Sequence, residues 1–175
     1  IEQLVVRREL AFNFVSYQPQ YDVFEYMTEA WAYETMALHA HDQRRTQYAL
    51  EELEQGQTHD AYFNAAMDEM RLTGFMPNYL RMYWAKKIME WSESMKTAYH
   101  HIVYLNNKYF LDGRDPNSYL NIAWCFGACD RPWPSRPIFG ALRYMNTEGL
   151  RKKFDMQRYL LYVQALKKKM DNDEK

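Results

Sequence analysis

The segment PNYLRMYWAKKIMEWS at residues 77–92 constrains the fold most strongly, because large apolar residues repeat along it with helical spacing. Intervals of three and four residues place these side chains on one face of an α-helix. That face consists of Leu80, Tyr83, Trp84, Ile88 and Trp91. Only 6 Gly and 6 Pro occur in 175 residues, which is too few for a turn-rich β architecture. The sequence therefore predicts an all-α fold.

The rest of the chain carries similar patterns separated by loops. We expect further helices over residues 2–16, 28–40, 43–54, 61–73, 94–109, 117–125 and about 155–169. The first should bury a broad apolar face, Thr28 should cap the second, and the strongly polar third should be solvated. Asp60 and Gly74 are typical of the start and end of the fourth. Residues 17–27 should form a loop, and residues 140–153 should be irregular or form a short helix.

Composition excludes several classes of protein. The 22 Lys and Arg residues balance 23 Asp and Glu, so the chain is not a globally basic nucleic-acid-coating protein. A hydrophobic share of 47% excludes global disorder. Apolar runs fall short of the roughly 18–20 residues that span a bilayer, and the charged N-terminus has no signal-peptide pattern. The two cysteines form no disulfide framework, so we expect an intracellular, reducing compartment, whether nucleus, cytoplasm or organelle.

Generic catalytic motifs are missing from the sequence. It contains neither the phosphate-binding patterns GxxxxGK[ST] and GxGxxG nor the zinc motif HExxH. His39 and His41 would point to different faces of a helix, so we interpret them as surface histidines and expect no metal site. Cys125 and Cys129 lack further thiols nearby, and we interpret both as buried.

Two groups of aromatic residues allow both a structural and a functional interpretation. Trp84 and Trp91 share a helix face about 10 Å apart, a pattern that favours core packing. The stretch from Trp124 to Trp133 continues into further prolines and arginines. A rigid exposed loop with two Trp residues is typical of a binding surface, but a proline-stiffened loop with its Trp residues folded back would have the same sequence.

Several segments together resemble one known family. They are MPNYLRMYWAKKIMEW, YLNNKYFLDGRDPNSY, RPIFGALRYMNTEGLRKKFD, EQLVVRREL, SYQPQYD and ALEELEQGQTHDAYFNAA. In order, and over essentially all 175 residues, the sequence resembles the C-terminal flavin-binding helical domain of class II cyclobutane pyrimidine dimer photolyases. The resemblance implies a single all-α domain over residues 1–175 without the family's N-terminal α/β domain. Because the sequence begins at Ile1, we expect a fragment or a truncated relative of a longer chain.

The resemblance also implies a cofactor and its contacts. In this family a buried, reduced FAD absorbs light and passes an electron to a pyrimidine dimer flipped out of DNA, which then splits. Arg81 and Asp112 resemble the ion pair beside the isoalloxazine ring. Asn106 matches the asparagine next to flavin N5, and Asp130 matches an acid of the flavin-site loop. Trp84 would lie next to the cofactor.

The same comparison implies an electron pathway and a departure from it. Trp84 resembles the first tryptophan of the family's photoreduction chain and Trp91 a later member, with Tyr83 as a side branch. Phe63 stands where the family pattern THDxxWNAA has a tryptophan. Because phenylalanine is much harder to oxidise, this substitution puts the usual route from Trp84 in doubt.

The expected substrate is UV-damaged DNA with a flipped-out dimer. The residues implied to contact it are Gln3, Met82, Trp124, Arg131, Trp133 and Arg143. Trp124 would stack on a base, while Trp133 and Arg143 would fill the gap left by the lesion. Further phosphate contacts could come from Arg136, Arg151, Lys152 and Lys153, although about half of such charges normally form a solvated face.

Other departures affect the dimer and flavin side. Gln3 replaces an expected glutamate, so a charged acceptor has become neutral, unless Glu2 is the true match. Ser118 and Asn121 stand where the family has glycines, and their side chains could crowd the site. Cys129 replaces a histidine.

Two functions are compatible with this profile. The first is a flavin-dependent, light-driven lyase that repairs dimers in DNA. The second is a photolyase-like chain without flavin that serves as an accessory subunit, in which other protein subunits cover its exposed apolar surface. A cryptochrome-like light sensor, which needs flavin but performs no repair, is the third and weakest alternative.

Overall fold

The structure is a computed structural model that describes residues 2–173, except for the side chains of Gln3, Leu4, Asp171 and Asp173. Within this range there is no β-strand, and the predicted all-α fold is confirmed. A π-helical stretch, Glu2–Arg7, opens the chain, and a short 3₁₀ turn, Phe24–Tyr26, follows the first α-helix. The α-helices are α1 (Arg8–Tyr17), α2 (Ala30–Leu38), α3 (Leu50–Glu54), α4 (Ala61–Thr73), α5 (Asn78–Trp91), α6 (Met95–Tyr109), α7 (Pro116–Cys125), α8 (Thr147–Arg151) and α9 (Met156–Asp173).

Helix α5 lies at the centre, where it packs against α4, α6, α7 and α8. Its predicted apolar face, which includes both Trp84 and Trp91, is buried. Lys86 and Lys87, which the sequence pattern did not place inside, are buried as well. A helix that is surrounded on most sides has little solvent-facing surface, so even its polar positions meet protein. None of the helices in the described range is long and apolar enough to cross a membrane.

Helix α4 begins and ends as its sequence predicts. The Asp60 carboxylate accepts hydrogen bonds from the backbone N–H groups of Tyr62 and Phe63, and Gly74 ends the helix with a left-handed φ of 68°. The cap predicted at Thr28 is wrong, because α2 begins two residues later. The Thr28 hydroxyl instead donates to the carbonyl of Phe126, 3.2 Å away, and ties the start of α2 to the end of α7.

The predicted helix over residues 43–54 is wrong in its first half. Only Leu50–Glu54 is helical, and residues 43–49 are irregular, with a bend at Arg45. Arg44 Nη1 donates to the carbonyls of Met89 and Glu90, and the backbone N–H of Tyr48 donates to the carbonyl of Trp91 at 3.3 Å. These bonds satisfy the carbonyls that α5 leaves open at its C-terminus. Residues 43–49 are therefore not helical, and their hydrogen bonds close the C-terminal end of α5 instead.

The apolar face predicted for residues 2–16 is largely exposed. Val5, Leu10 and Phe12 are each between 40% and 53% exposed, and Ala11 is the buried residue of α1. Helix α1 packs against α7, and Leu10 and Phe12, which are two residues apart, lie on different sides of it, so apolar surface is exposed on more than one side.

The loop after α7 is fixed to α2. The Ala141 N–H donates to Thr35 Oγ1 at 2.8 Å, and the Ile138 N–H donates to the Asp42 carboxylate at 2.7 Å. Between them, Gly140 has a φ of 53°, and a Cβ there would lie 2.2 Å from Thr35 Oγ1. Only glycine permits this approach, so the loop has one defined path. His39 contacts Asp42 at 2.6 Å, and no group of three metal-ligating side chains exists within residues 2–173.

Candidate functional site

Two adjoining cavities lie between α5, α6, α7 and the loop that follows α7. The inner cavity measures about 280 Å³ and the outer about 580 Å³. Residues that line both are Arg7, Asn78, Arg81, Asn121 and Trp124. The inner cavity is also lined by Met82, Trp84, Asn106, Asp130 and Arg143, and the outer by Asp112. The fold thus brings together most of the site residues proposed from the sequence.

Arg81 and Asp112 form a two-pronged ion pair at the junction of the cavities. Arg81 Nη1 and Nη2 donate to the two carboxylate oxygens at 3.0 and 2.5 Å. The guanidinium also lies 3.5 Å from the centre of the Phe110 ring. Its Nε is buried and has no hydrogen-bond partner among the described residues. Gly113 makes this geometry possible, because a Cβ there would lie 2.8 Å from the Asn106 carbonyl oxygen.

Asn106 and Lys86 place buried polar groups in the wall of the inner cavity. Asn106 is 4% exposed and donates from Nδ2 to Asn107 Oδ1 at 3.0 Å. Lys86 Nζ donates to the Cys125 carbonyl at 2.5 Å. Burial lowers the pKa of Lys86 to about 8. The Lys86 amine, which is mostly protonated at neutral pH, and the Asn106 amide therefore line the same inner cavity.

Trp84 and Met82 contribute the apolar part of this wall. Trp84 is 2% exposed, its indole N–H points to Met67 Sδ at 2.9 Å, and its ring meets Phe110 edge-on. The Met82 side chain is half-buried against the core and also lines the inner cavity.

Trp124 projects from α7 into both cavities. The Arg7 guanidinium lies 4.9 Å from its ring centre and also pairs with Glu2 at 3.2 Å. The π-helical stretch Glu2–Arg7 thus covers one part of the tryptophan. The side chain of Gln3, proposed as a dimer contact, lies outside the described residues.

Asp130 gathers the loop residues into one cluster. Its carboxylate accepts from Arg143 at 3.0 and 3.2 Å, from the Trp133 indole N–H at 3.3 Å and from the Arg131 backbone N–H at 2.9 Å. The guanidinium groups of Arg131 and Arg143 also lie 5.3 and 4.5 Å from the centre of the Trp133 ring. Burial alone would raise the pKa of Asp130, but these hydrogen bonds hold it below its ordinary value. The proposed flavin-side acid and the proposed DNA-side residues are therefore one unit.

Trp91 and Phe63 lie apart from the cavities, at the C-terminal end of α5. Phe63 is fully buried and meets the Trp91 ring edge-on with ring centres 5.1 Å apart. Tyr83, also fully buried, donates its hydroxyl proton to the Asp60 carboxylate.

No protein-family model matches the chain. The chain is 48% identical over 166 residues to a deoxyribodipyrimidine photo-lyase of Methanothermobacter thermautotrophicus. The aligned residues make up 95% of this chain and 37% of that protein. The chain belongs to the photolyase family. The photo-lyase of Oryza sativa is also 48% identical, with 95% of this chain and 33% of that protein covered, and the one from Potorous tridactylus is 47% identical, with 91% and 30% covered. The chain spans about a third of the length of these curated photolyases.

Two departures from the photolyase pattern, Ser118 and Asn121, lie at the wall of the inner cavity. The Ser118 hydroxyl is buried and donates to the Asp112 carbonyl at 2.8 Å, so it supports the loop that carries the ion pair. Asn121 is exposed at the opening of both cavities. The prediction that both cysteines are buried holds for Cys125 and is wrong for Cys129, which turns outward at a φ of 57°.

Two residues of this candidate site, Arg7 and Lys86, were not proposed from the sequence. Arg7 lies in the stretch 2–16, for which the pattern predicts an apolar face but gives the arginines no role, and only the fold places it over Trp124. Lys86 follows Trp84 and Ala85 on α5, and the apolar repeat gives no reason to place it inside. Its signal could have been found only by recognising that α5 is enclosed on most sides.

Proposed function

We propose that this chain is the flavin-binding helical domain of a light-driven photolyase that splits pyrimidine dimers in DNA. The observation that carries the proposal is the Arg81 Nε–H, which is buried at the cavity without an acceptor among the described residues. Buried donors are nearly always paired, and the ring nitrogens and carbonyls of a flavin are acceptors. The donor set at the cavity therefore fits the isoalloxazine part of FAD.

Named residues would then have separate tasks. When bound, FAD supplies light absorption and one-electron chemistry. Arg81 and Asp112 would hold the edge of its ring, and Asn106 would present its amide to the ring. Trp84, enclosed in the apolar wall, would pass electrons toward the cavity, and Trp91 would lie further along the same route.

The charge around the cavities supports DNA as the partner. Five basic and three acidic side chains line them, whereas the chain as a whole carries a net charge of −1. A local excess of Lys and Arg is what binding to phosphates requires. Trp124 and Met82 would meet the flipped dimer, and the Arg131–Trp133–Arg143 group would occupy the space that it leaves.

The accessory-subunit alternative is less favoured, because the relatives are photo-lyases and the Arg81–Asp112 pair is intact. The exposed apolar side chains near the start of the chain, such as Val5 and Phe12, are then the surface that the remaining part of a photolyase would cover.

The test is flavin binding by the purified chain, alone and mixed with the complementary two thirds of a photolyase. Arg81→Met should weaken FAD affinity about tenfold or more, the loss expected for charge-assisted hydrogen bonds. Arg158→Met, on the exposed side of α9, is the matched control. Repair of dimer-containing DNA under blue light is the second readout. The proposal would be refuted if the chain bound no flavin, whether alone or in the mixture. It would also be refuted if Arg81→Met and Arg158→Met bound FAD with equal affinity.

A further inference from the structure

Ser135, His39 and Asp42 form a hydrogen-bonded chain at the surface, and none of the three lines the inner or the outer cavity. The Ser135 hydroxyl oxygen lies 3.2 Å from His39 Nε2, and His39 Nδ1 lies 2.6 Å from the Asp42 carboxylate. An ionised carboxylate only accepts hydrogen bonds, so Nδ1 carries the ring proton and Nε2 accepts the serine hydroxyl. This order of hydroxyl, imidazole and carboxylate is the arrangement that activates serine as a nucleophile in acyl-transfer enzymes.

The fold holds the imidazole in this orientation. His39 directly follows the last residue of α2, and its ring packs so closely against Gly140 that a Cβ there would lie 2.7 Å from the ring atom Cδ2. The Asp42 oxygen that contacts His39 also accepts the backbone N–H of Ile138 at 2.7 Å. The hydrogen bonds from Ile138 and His39 lower the pKa of Asp42, so its carboxylate is ionised at neutral pH.

Ser135 lies at the start of a narrow turn. Arg136 and Gly140 exchange two backbone hydrogen bonds, at 3.0 and 2.8 Å, and Ile138 between them has a φ of 71°. This angle is in the left-handed region, which is unfavourable for a β-branched residue and persists only where surrounding contacts impose it. Pro134 fixes the backbone angle directly before Ser135. The serine is therefore exposed to solvent on a backbone with little freedom.

An open cavity of about 490 Å³ adjoins this chain of groups. It is lined by Ser135, His39 and Asp42 and by the two arginines Arg45 and Arg136. The two guanidinium groups outnumber the single carboxylate, so the cavity favours a substrate that carries a negative charge. The same positive charge stabilises the oxyanion that forms when a hydroxyl attacks a carbonyl.

We propose that Ser135 is the nucleophile of a second, light-independent activity, the hydrolysis of esters whose acyl part carries a negative charge. First, Ser135 Oγ bonds to the acyl carbon, the ester C–O bond breaks, and the hydroxyl proton passes through His39 Nε2 to the leaving alcohol. A water oxygen then attacks the same carbon, one water proton passes through Nε2 to Ser135 Oγ, and the acid leaves. One ester and one water thus give one acid and one alcohol. Asp42 orients the ring and stabilises the imidazolium.

The experiment uses the full chain in the dark, with mono-4-nitrophenyl succinate as the anionic ester and 4-nitrophenyl acetate as the neutral one. Ser135→Ala and His39→Gln should each lower kcat/KM for nitrophenol release about 100-fold or more, the usual contribution of a general base. The double variant should be no slower than either single one, because the two groups act as a unit. Ser16→Ala and His41→Gln, at exposed positions, are the matched controls and should equal the wild type.

Substrate charge is tested separately. Arg45→Gln should raise KM for the succinate about two- to fivefold relative to KM for the acetate, the effect of losing one exposed ion pair. Arg158→Gln, at an exposed arginine of α9, should leave this ratio unchanged. An equal ratio in Arg45→Gln and the wild type would overturn the assignment of an anionic substrate.

A fluorophosphonate probe tests the nucleophile without any variant. It should phosphonylate the wild-type chain with loss of fluoride, and tandem mass spectrometry should place the added mass on Ser135. No label at Ser135, or an unchanged rate in Ser135→Ala, would overturn the proposal. Activity that survives Ser135→Ala but not His39→Gln would overturn it too, because the imidazole itself would then be the nucleophile.

This activity is independent of flavin, so its failure and the failure of the proposed function are distinguishable. A chain that binds no flavin but hydrolyses the succinate through Ser135 would refute the proposed function alone. A chain that binds flavin but leaves the ester intact would refute the Ser135 assignment alone. Circular dichroism of each variant checks that the helices remain.

Discussion

Lys86 gives a quantitative test of how closely α5 is enclosed. Its ammonium is buried, donates to the Cys125 carbonyl and is near the charges of Asp130 and Arg143. Burial lowers its pKa from 10.5 to about 8. A difference of about 2.5 pH units corresponds to about 3 kcal/mol, because each unit is worth about 1.4 kcal/mol. At neutral pH the folded chain therefore bears this cost for keeping Lys86 charged.

The sign of the pH dependence follows from the protons bound. Between pH 8 and 10.5 the unfolded chain holds more protons at Lys86 than the folded chain, so this residue makes stability rise with pH. Lys86→Met removes the cost but also the hydrogen bond, so at pH 7 the variant should be more stable by about 2 kcal/mol. That advantage should disappear toward pH 10.

Urea unfolding followed by tryptophan fluorescence at pH 7, 8.5 and 10 measures this difference directly. Subtracting the wild type from the variant cancels the tyrosines and cysteines that titrate in the same range. Lys153→Met, at an exposed lysine, should show no pH-dependent difference. A Lys86→Met variant that is less stable at pH 7, or whose advantage is the same at all three values, would refute the reasoning.

Three other substitutions test separate contacts. Tyr159→Phe removes the hydroxyl that donates to the buried Glu69 carboxylate at 2.5 Å, so the free energy of unfolding in urea should fall by about 1–3 kcal/mol. Asp130→Asn weakens the pairing with Arg143. Because its partners lower the pKa of Asp130, the wild type loses this contribution as pH falls below about 4, so acid titration should show a flatter loss of stability in the variant. Gly140→Ala places a Cβ against a threonine hydroxyl at positive φ, so the melting temperature should fall by roughly 2–4 °C or more.

Matched controls exist for all three. Tyr162→Phe, Asp22→Asn and Gly149→Ala change the same residue types at positions without those contacts. Gly149 has open space around it except for Asn146 Oδ1 at 3.1 Å, and alanine there should preserve or raise stability. Equal effects in a variant and its control would contradict the corresponding contact.

The sequence predicts the helices well where the repeat of apolar residues decides the outcome. Helix α5 follows directly from the spacing of its apolar residues, and all five residues of the predicted face are buried. The conformation of residues 43–49 does not follow from spacing, because their polar composition suits a solvated helix equally well. Their conformation is decided by open carbonyls at the end of α5, which are distant in sequence.

The candidate site was predictable to a similar extent. Its aromatic and charged residues could be named one by one, but their pairing could not. Nothing local in the sequence shows that Arg143 binds Asp130, since the loop between them closes only when its backbone is anchored to α2. The burial of Lys86 likewise depends on helices that surround it from four directions.

The hydrogen bonds that converge on Asp130 restrict how this chain can diverge. The Asp130 carboxylate accepts hydrogen bonds from the Trp133 indole and the Arg143 guanidinium, so its replacement by an apolar residue would leave both donors without this acceptor. Replacement of Trp133 or Arg143 alone would conversely leave an acid with too few partners in a largely enclosed position. Mutations at these three positions should therefore be inherited together, and lineages that lose one should show compensating changes at the other two.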